Sequence, residues 1–202
     1  MNDVNATQVR ELRDKTGAGI MDCKKALADS SGDLDKAVVY LRERGLAAAA
    51  KKSARVASEG QVASYIHAGG KIGVLVEVNC ETDFVARTPE FQALVKDLAM
   101  QIAAANPRYL RREEVPAAAI DSERSISRAQ VASSGKPANV IEKIVDGKLE
   151  KFFADTCLME QAYIKDPQRT VGQLVTDAVG QLGENVVVRR FARFQLGEMT
   201  EQ

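Results

Sequence analysis

From Ile72 to Asn79 the chain alternates strictly. Ile72, Val74, Val76 and Val78 share one face, and Gly73, Leu75, Glu77 and Asn79 share the other, the period of a half-buried strand. A partner strand is predicted from Val62 to His67, and Ala68-Gly69-Gly70 between the two reads as a hairpin turn. After Pro89 the period lengthens to that of a helix, with Phe91, Leu94, Val95, Leu98 and Ile102 on one side and Asn106-Pro107 as the stop. Residues 111–157 read as mainly helical, punctuated by Pro116, Gly135-Lys136-Pro137 and Gly147. A helix from Thr170 to Leu182 leads through Gly183-Glu184-Asn185 to a third strand, Val186 to Leu196, which completes an antiparallel sheet.

The first 56 residues carry a different rhythm, that of short helices. Val9 and Leu12 mark the inner face of a first helix that stops at Thr16-Gly17-Ala18-Gly19. A second carries Met21, Cys23, Ala26 and Leu27. Asp33 is placed to cap a third, with Leu34, Ala37, Val38 and Leu41 inward and Gly45 just past its end. Residues 46–55 have high helix propensity and almost no large apolar side chain, so they are expected to form a solvated helical linker. The expected architecture is α+β: a small helical domain over residues 1–56, with its linker, and a core domain over 57–202 in which helices pack a small antiparallel sheet.

Composition narrows the chemistry. The chain has 202 residues, with 28 basic and 28 acidic side chains that cancel, so no net field draws it to nucleic acid or a membrane surface. No apolar run has the length of a membrane span, and Met1-Asn2-Asp3 begins no signal pattern. Cys23, Cys80 and Cys157 form no CxxC pair, and with His67 as the sole histidine neither a zinc site nor a Ser-His or Cys-His arrangement is expected. Together these features point to a cytoplasmic protein without a metal or other cofactor. The glycines at 17 and 19, and at 69 and 70, complete neither a GxxxxGK[ST] nor a GxGxxG pattern. Basic pairs such as Lys24-Lys25, Lys51-Lys52, Arg111-Arg112 and Arg189-Arg190 are scattered among acids, unlike a nucleic-acid stripe. An enzyme is not expected; a protein-binding function is.

One turn stands out. Asn79-Cys80-Glu81-Thr82-Asp83-Phe84-Val85-Ala86-Arg87 joins the alternating strand to the long helix and sets a carboxylate beside an aromatic. Asp83 reads either as a helix cap or as a contact, and Phe84 either as a lid on the local core or as a side chain presented to a partner.

Two stretches carry a family likeness. Leu12-Arg13, followed by Thr16-Gly17-Ala18-Gly19-Ile20-Met21-Asp22-Cys23-Lys24-Lys25-Ala26-Leu27, resembles the N-terminal signature of bacterial elongation factor Ts. Val78-Asn79-Cys80-Glu81-Thr82-Asp83-Phe84-Val85-Ala86 resembles its second signature, and the likeness runs on through Gly183-Glu184-Asn185 and the last strand. The resemblance implies a UBA-like three-helix N-terminal domain and guanine-nucleotide exchange on elongation factor Tu. It further implies a short form with one core unit. Such forms are expected to pair as homodimers, giving a two-to-two complex with the partner. In some short members a cysteine of the last strand bridges that dimer; here the position is Ala192, which excludes the covalent link.

The same resemblance assigns roles. Thr82, Asp83, Phe84 and Val85 would approach the magnesium and phosphate side of the partner's nucleotide site and dislodge the ion. Arg13, Ile20, Met21 and Lys24 would dock the partner's nucleotide domain, with Ile20 standing where relatives commonly carry methionine. His67, Leu182 and Gly183 match further contacts. A binding module that docks without accelerating exchange is the alternative class.

Overall fold

The computed structural model describes residues 5–132 and 137–198. In chain order they form α1 (Ala6–Thr16), α2 (Ile20–Asp29), α3 (Leu34–Lys52), β1 (Glu59–Ile66), β2 (Ile72–Cys80), α4 (Asp83–Ala86) and α5 (Pro89–Ala105). There follow α6 (Ala117–Ala132), α7 (Ala138–Thr156), β3 (Ala162–Tyr163), β4 (Asp166–Thr170), α8 (Val171–Leu182) and β5 (Val187–Gln195). The mixture of helices and small antiparallel sheets is α+β. One sheet has the order β1-β2-β5 and a second pairs β3 with β4. His67 N donates to Ile72 O at 2.9 Å across the hairpin, and Leu196 N donates to Lys71 O at 2.8 Å, so β5 ends where β2 begins and the pair is antiparallel.

The described residues gather into two compact units that do not follow chain order. The first comprises residues 5–61, 77–95 and 175–189. Its helical part closes on Leu12, Cys23, Ala26, Leu27 and Ala37, all fully buried, with Val9, Ala18, Leu34, Val38, Tyr40 and Leu41 around them. Local signals set the helix limits. The Asn5 side chain accepts from Thr7 N, Asp33 accepts from Lys36 N at 3.0 Å, and Gly17 ends α1 in the left-handed region. So small a core is sensitive: truncating Leu27 to alanine would cost about 2–5 kcal/mol.

Gly45 does not end the third helix. α3 runs through it to Lys52, because that part of the helix has a neighbour. A Cβ built on Gly180 of α8 would lie 3.8 Å from the Gly45 Cα, an ordinary packing distance, and Lys52 Nζ donates to Val179 O at 3.3 Å. Residues 46–52 therefore continue α3, with Ala48, Ala49 and Lys52 half-buried and Leu46, Ala47, Ala50 and Lys51 exposed. A glycine inside a helix costs about 1 kcal/mol relative to alanine, which the close approach of two helices at small residues offsets. In the same unit, Gly60 has φ 135°, and a side chain there would collide with Val78 O. Only glycine fits this close crossing of β1 and β2.

The second unit comprises residues 62–76, 96–132, 137–174 and 190–198. α6 packs on α7, and Val115, Leu149, Phe153 and Cys157 form a core patch with Tyr109, Ala119, Ile120 and Phe152 against it. Gly147 lies inside α7 and does not interrupt it. Pro137 is the N-cap of α7, whereas Gly135 and Lys136 lie outside the described residues. The β3–β4 hairpin has no counterpart in the sequence pattern, since two residues and a polar Asp-Pro-Gln-Arg-Thr segment show no alternation. Buried amides hold it. Gln101 Nε2 donates to Gln161 Oε1 and to Ala162 O, both at 3.2 Å, and Gln101 Oε1 accepts from Ile164 N at 2.8 Å. Arg112 lies 4.7 Å from the Phe153 ring centroid and forks onto Glu160 and Glu150, which raises its pKa.

Candidate functional site

β2 buries Val74, Val76, Val78 and Cys80, as its alternation requires, and delivers the chain to the turn at Glu81-Thr82. The cap of α4 is Thr82, not Asp83: Thr82 is extended (φ −131°, ψ 153°) and its hydroxyl accepts from Val85 N at 3.4 Å. Asp83 is the first helical residue, half-buried, and its carboxylate accepts from Arg87 at 2.7 Å one turn on. The reading of Asp83 as a cap is thus corrected, because a residue one position further along cannot reach back to the first free amides. Nor is Phe84 a lid: it is 77% exposed. Val85 is half-buried, and its carbonyl accepts from the Thr88 hydroxyl at 2.8 Å, while that oxygen in turn accepts from Phe91 N at 3.3 Å. Two short helix starts in succession pin the turn from behind and leave the aromatic outside.

The base of the turn is held by a network that connects distant segments of the first unit. Glu184 Oε2 accepts from Glu81 N and from Thr82 N, both at 3.0 Å, and its Oε1 accepts from the Thr82 hydroxyl at 2.6 Å. Glu81 Oε1 accepts from Asn185 N at 2.6 Å and pairs with Arg55 at 3.5 Å. The buried Asn185 amide donates to Arg55 O at 2.8 Å and to Ser53 O at 3.5 Å. Cys80 Sγ lies 3.1 Å from Thr82 O, and burial pushes this thiol up from its ordinary pKa, as it does Cys23 and Cys157. Three protonated, buried thiols among the described residues form no disulfide.

The other predicted site residues divide by unit. In α2 the buried Cys23, Ala26 and Leu27 turn the opposite face outward, so Ile20 (55% exposed), Met21 (75%) and Lys24 share an accessible stripe. Arg13 is exposed in the last turn of α1. The α1–α2 turn meets the end of α8, where Gln181 Nε2 donates to Thr16 O at 2.9 Å. Leu182 and Gly183 follow directly, the first half-buried and the second exposed with φ 76°. These residues and the Thr82 turn therefore belong to one unit built around the end of α8. His67 belongs to the other unit, exposed at the hairpin tip with its Nδ1 3.0 Å from the Tyr65 hydroxyl.

Glu81, Glu184 and Asn185 were not among the residues singled out for function. Their partners lie about a hundred positions away in the chain, and no local pattern announces such a pairing. Among the described residues no group of three His, Cys, Asp or Glu side chains is arranged to hold a metal, and no helix is long and apolar enough to cross a membrane.

Comparison with known proteins finds relatives along almost the whole chain. The sequence model of a family described as "Elongation factor TS" matches residues 31–198. The chain is 62% identical over 195 residues to an elongation factor Ts of Heliobacterium modesticaldum, covering 96% of this chain and 91% of the relative. It is 62% identical over 199 residues to that of Geobacter sulfurreducens, covering 98% and 92%. To that of Caldanaerobacter subterraneus subsp. tengcongensis it is 58% identical over 199 residues, covering 98% and 100%.

Proposed function

The chain belongs to the elongation factor Ts family, and on that premise we propose that it is a translation elongation factor that exchanges guanine nucleotide on elongation factor Tu. It binds the GDP form of the partner and promotes GDP release by disturbing the partner's Mg²⁺ and phosphate site. The observation that carries this reading is the exposed Phe84 on a turn held rigidly from behind. A large aromatic left in water is unfavourable for the free protein, and its burial energy is recovered only in a complex.

In this reading Thr82, Asp83, Phe84 and Val85 form the probe. GDP is held largely by a phosphate loop and by Mg²⁺ bridging phosphate oxygens to protein ligands. An apolar wedge at that loop moves the ligands, and the Asp83 carboxylate beside it repels phosphate or competes in the metal's network once it leaves Arg87. Ile20, Met21 and Lys24, with Arg13, dock the partner's nucleotide domain; His67, Leu182 and Gly183 add contacts. Residues 1–56 serve as the UBA-like docking domain and 57–202 as the exchange core.

No covalent bond is made or broken. The factor binds the empty partner more tightly than the filled one, and linkage then weakens the nucleotide by the same factor. Direction comes from the surrounding nucleotide concentrations. The setting is the cytoplasm, with no nucleic acid contacted directly. Two copies pairing through non-covalent contacts would give a two-to-two complex with elongation factor Tu; sedimentation with and without the partner separates this from one-to-one.

The test of the wedge is release of fluorescent GDP from elongation factor Tu. The chain should accelerate it, and Phe84→Ala should not do so comparably. Equal rates from the two proteins would sink the wedge, and binding without acceleration by either would leave a docking module only.

A further inference from the structure

Phe84 stands on a helix of four residues, too short to hold itself in water. Something outside it must fix its direction. The two backbone amides that lead into this helix and its capping hydroxyl converge on one carboxylate. Glu81 N, Thr82 N and Thr82 Oγ1 all donate to Glu184, at 3.0, 3.0 and 2.6 Å. Hydrogen bonds to an ionised acceptor are the strong kind. The connection is reciprocated by Asn185 N on Glu81 at 2.6 Å.

We infer that Glu184 is a positioning residue for exchange: it never meets the partner's nucleotide but holds the turn from which Phe84 projects. The inference rests on the proposed wedge role of Phe84. The stretch that includes Glu184 also grips the rest of the docking surface within the same unit. Val179 O accepts from Lys52, Gln181 donates to Thr16 O beside the Ile20-Met21 stripe, and Asn185 donates to Arg55 O. Residues 179–185 thereby give the α2 stripe and the Phe84 turn a common base. Loss of the Glu184 carboxylate frees the turn and leaves the stripe anchored. The prediction is therefore a slower maximal rate of release, with little change in the factor concentration that gives half of it.

The experiment measures fluorescent-GDP release from elongation factor Tu against factor concentration, with hydrogen exchange at the Glu81 and Thr82 amides and a melting curve for each variant. Glu184→Ala should exchange those amides faster and lower the maximal rate by about tenfold, with the half-saturating concentration within about twofold of the parent. Glu184→Gln should recover most of the rate, because its carboxamide oxygen still accepts both amides and the Thr82 hydroxyl can turn to accept from the nitrogen. Combined with Phe84→Ala, Glu184→Ala should slow release no further.

Faster amide exchange with a parental release rate would overturn the inference and leave the wedge standing. A double variant slower than Phe84→Ala alone would overturn it too, since Glu184 would then act elsewhere. A parental rate from Phe84→Ala removes the wedge and the inference with it. Should Glu184→Ala lack a cooperative melt, Glu184→Asp decides: one methylene shorter, it cannot span to both amides and the hydroxyl, and a parental rate from it overturns the inference.

Discussion

The turn that follows β2 is tied down by side chains from two distant segments, whereas the turn that precedes it is held by backbone bonds, its own and one from the end of β5, and by one ring contact. At the Thr82 end, Glu184, Asn185 and Arg55 converge on two consecutive positions, Glu81 and Thr82. At the His67 end the side-chain bonds are local: the Tyr65 hydroxyl on the imidazole joins His67 N to Ile72 O and Gly70 N to His67 O, and the distant chain reaches in through backbone, Leu196 N on Lys71 O. Both turns present a proposed contact residue to solvent. A side chain on a fixed base loses little freedom on binding, so more of its contact energy is available to displace another ligand; one on a loose base spends part of that energy on ordering. The difference suits Phe84 to forcing a change in the partner and His67 to adding contact at the margin.

Variants at each turn sharpen the contrast. The largest effect should come from Phe84→Ala, which lowers the maximal GDP-release rate by about tenfold or more. Its melting temperature should hardly move, because the ring is 77% exposed in the free protein; a substantial drop would mean that the ring packs internally after all. Next is Gly70→Ala, where φ is 70° and a side chain meets no atom within 4 Å. The cost is then conformational alone, about 1 kcal/mol in chemical denaturation, with release rates close to the parent. A strong loss of exchange would show that the hairpin tip needs a defined shape.

Asp83→Ala should change stability by no more than about 0.5 kcal/mol, since the carboxylate caps nothing and its pair with Arg87 is largely solvated. Any slowing of release then reports on the partner's site rather than on the fold, and paired denaturation and release measurements separate the two. The smallest effect belongs to His67→Ala, about twofold on the half-saturating concentration, as expected of a peripheral contact. A tenfold effect there would reverse the ranking of the two turns.

How much of this was legible in the sequence depends on the distance over which each signal acts. The β2 alternation foretold Val74, Val76 and Val78 as buried, and the spacing after Pro89 foretold the inner face of α5. Asp33 was read correctly as a cap because capping spans three residues. Gly45 is a local stop signal, yet α3 runs through it, and the reason lies across on Gly180. A carboxylate before a helix favours capping, yet the extended Thr82 fills that role ahead of Asp83. Phe84 is open between core and surface in the sequence, because a residue beside a turn offers no periodicity long enough to choose.

What the sequence alone determined was therefore most of the elements, the β3–β4 hairpin excepted, since strands, helices, caps and turns obey periods and contacts a few residues long. The two signatures added the family. Only the tertiary structure decided that Phe84 and Met21 face water, that Thr82 caps the turn, and that Glu184 holds it. The last of these depends on segments that meet after about a hundred residues of intervening chain, and a carboxylate carries no mark in sequence of the distant amides it will accept from.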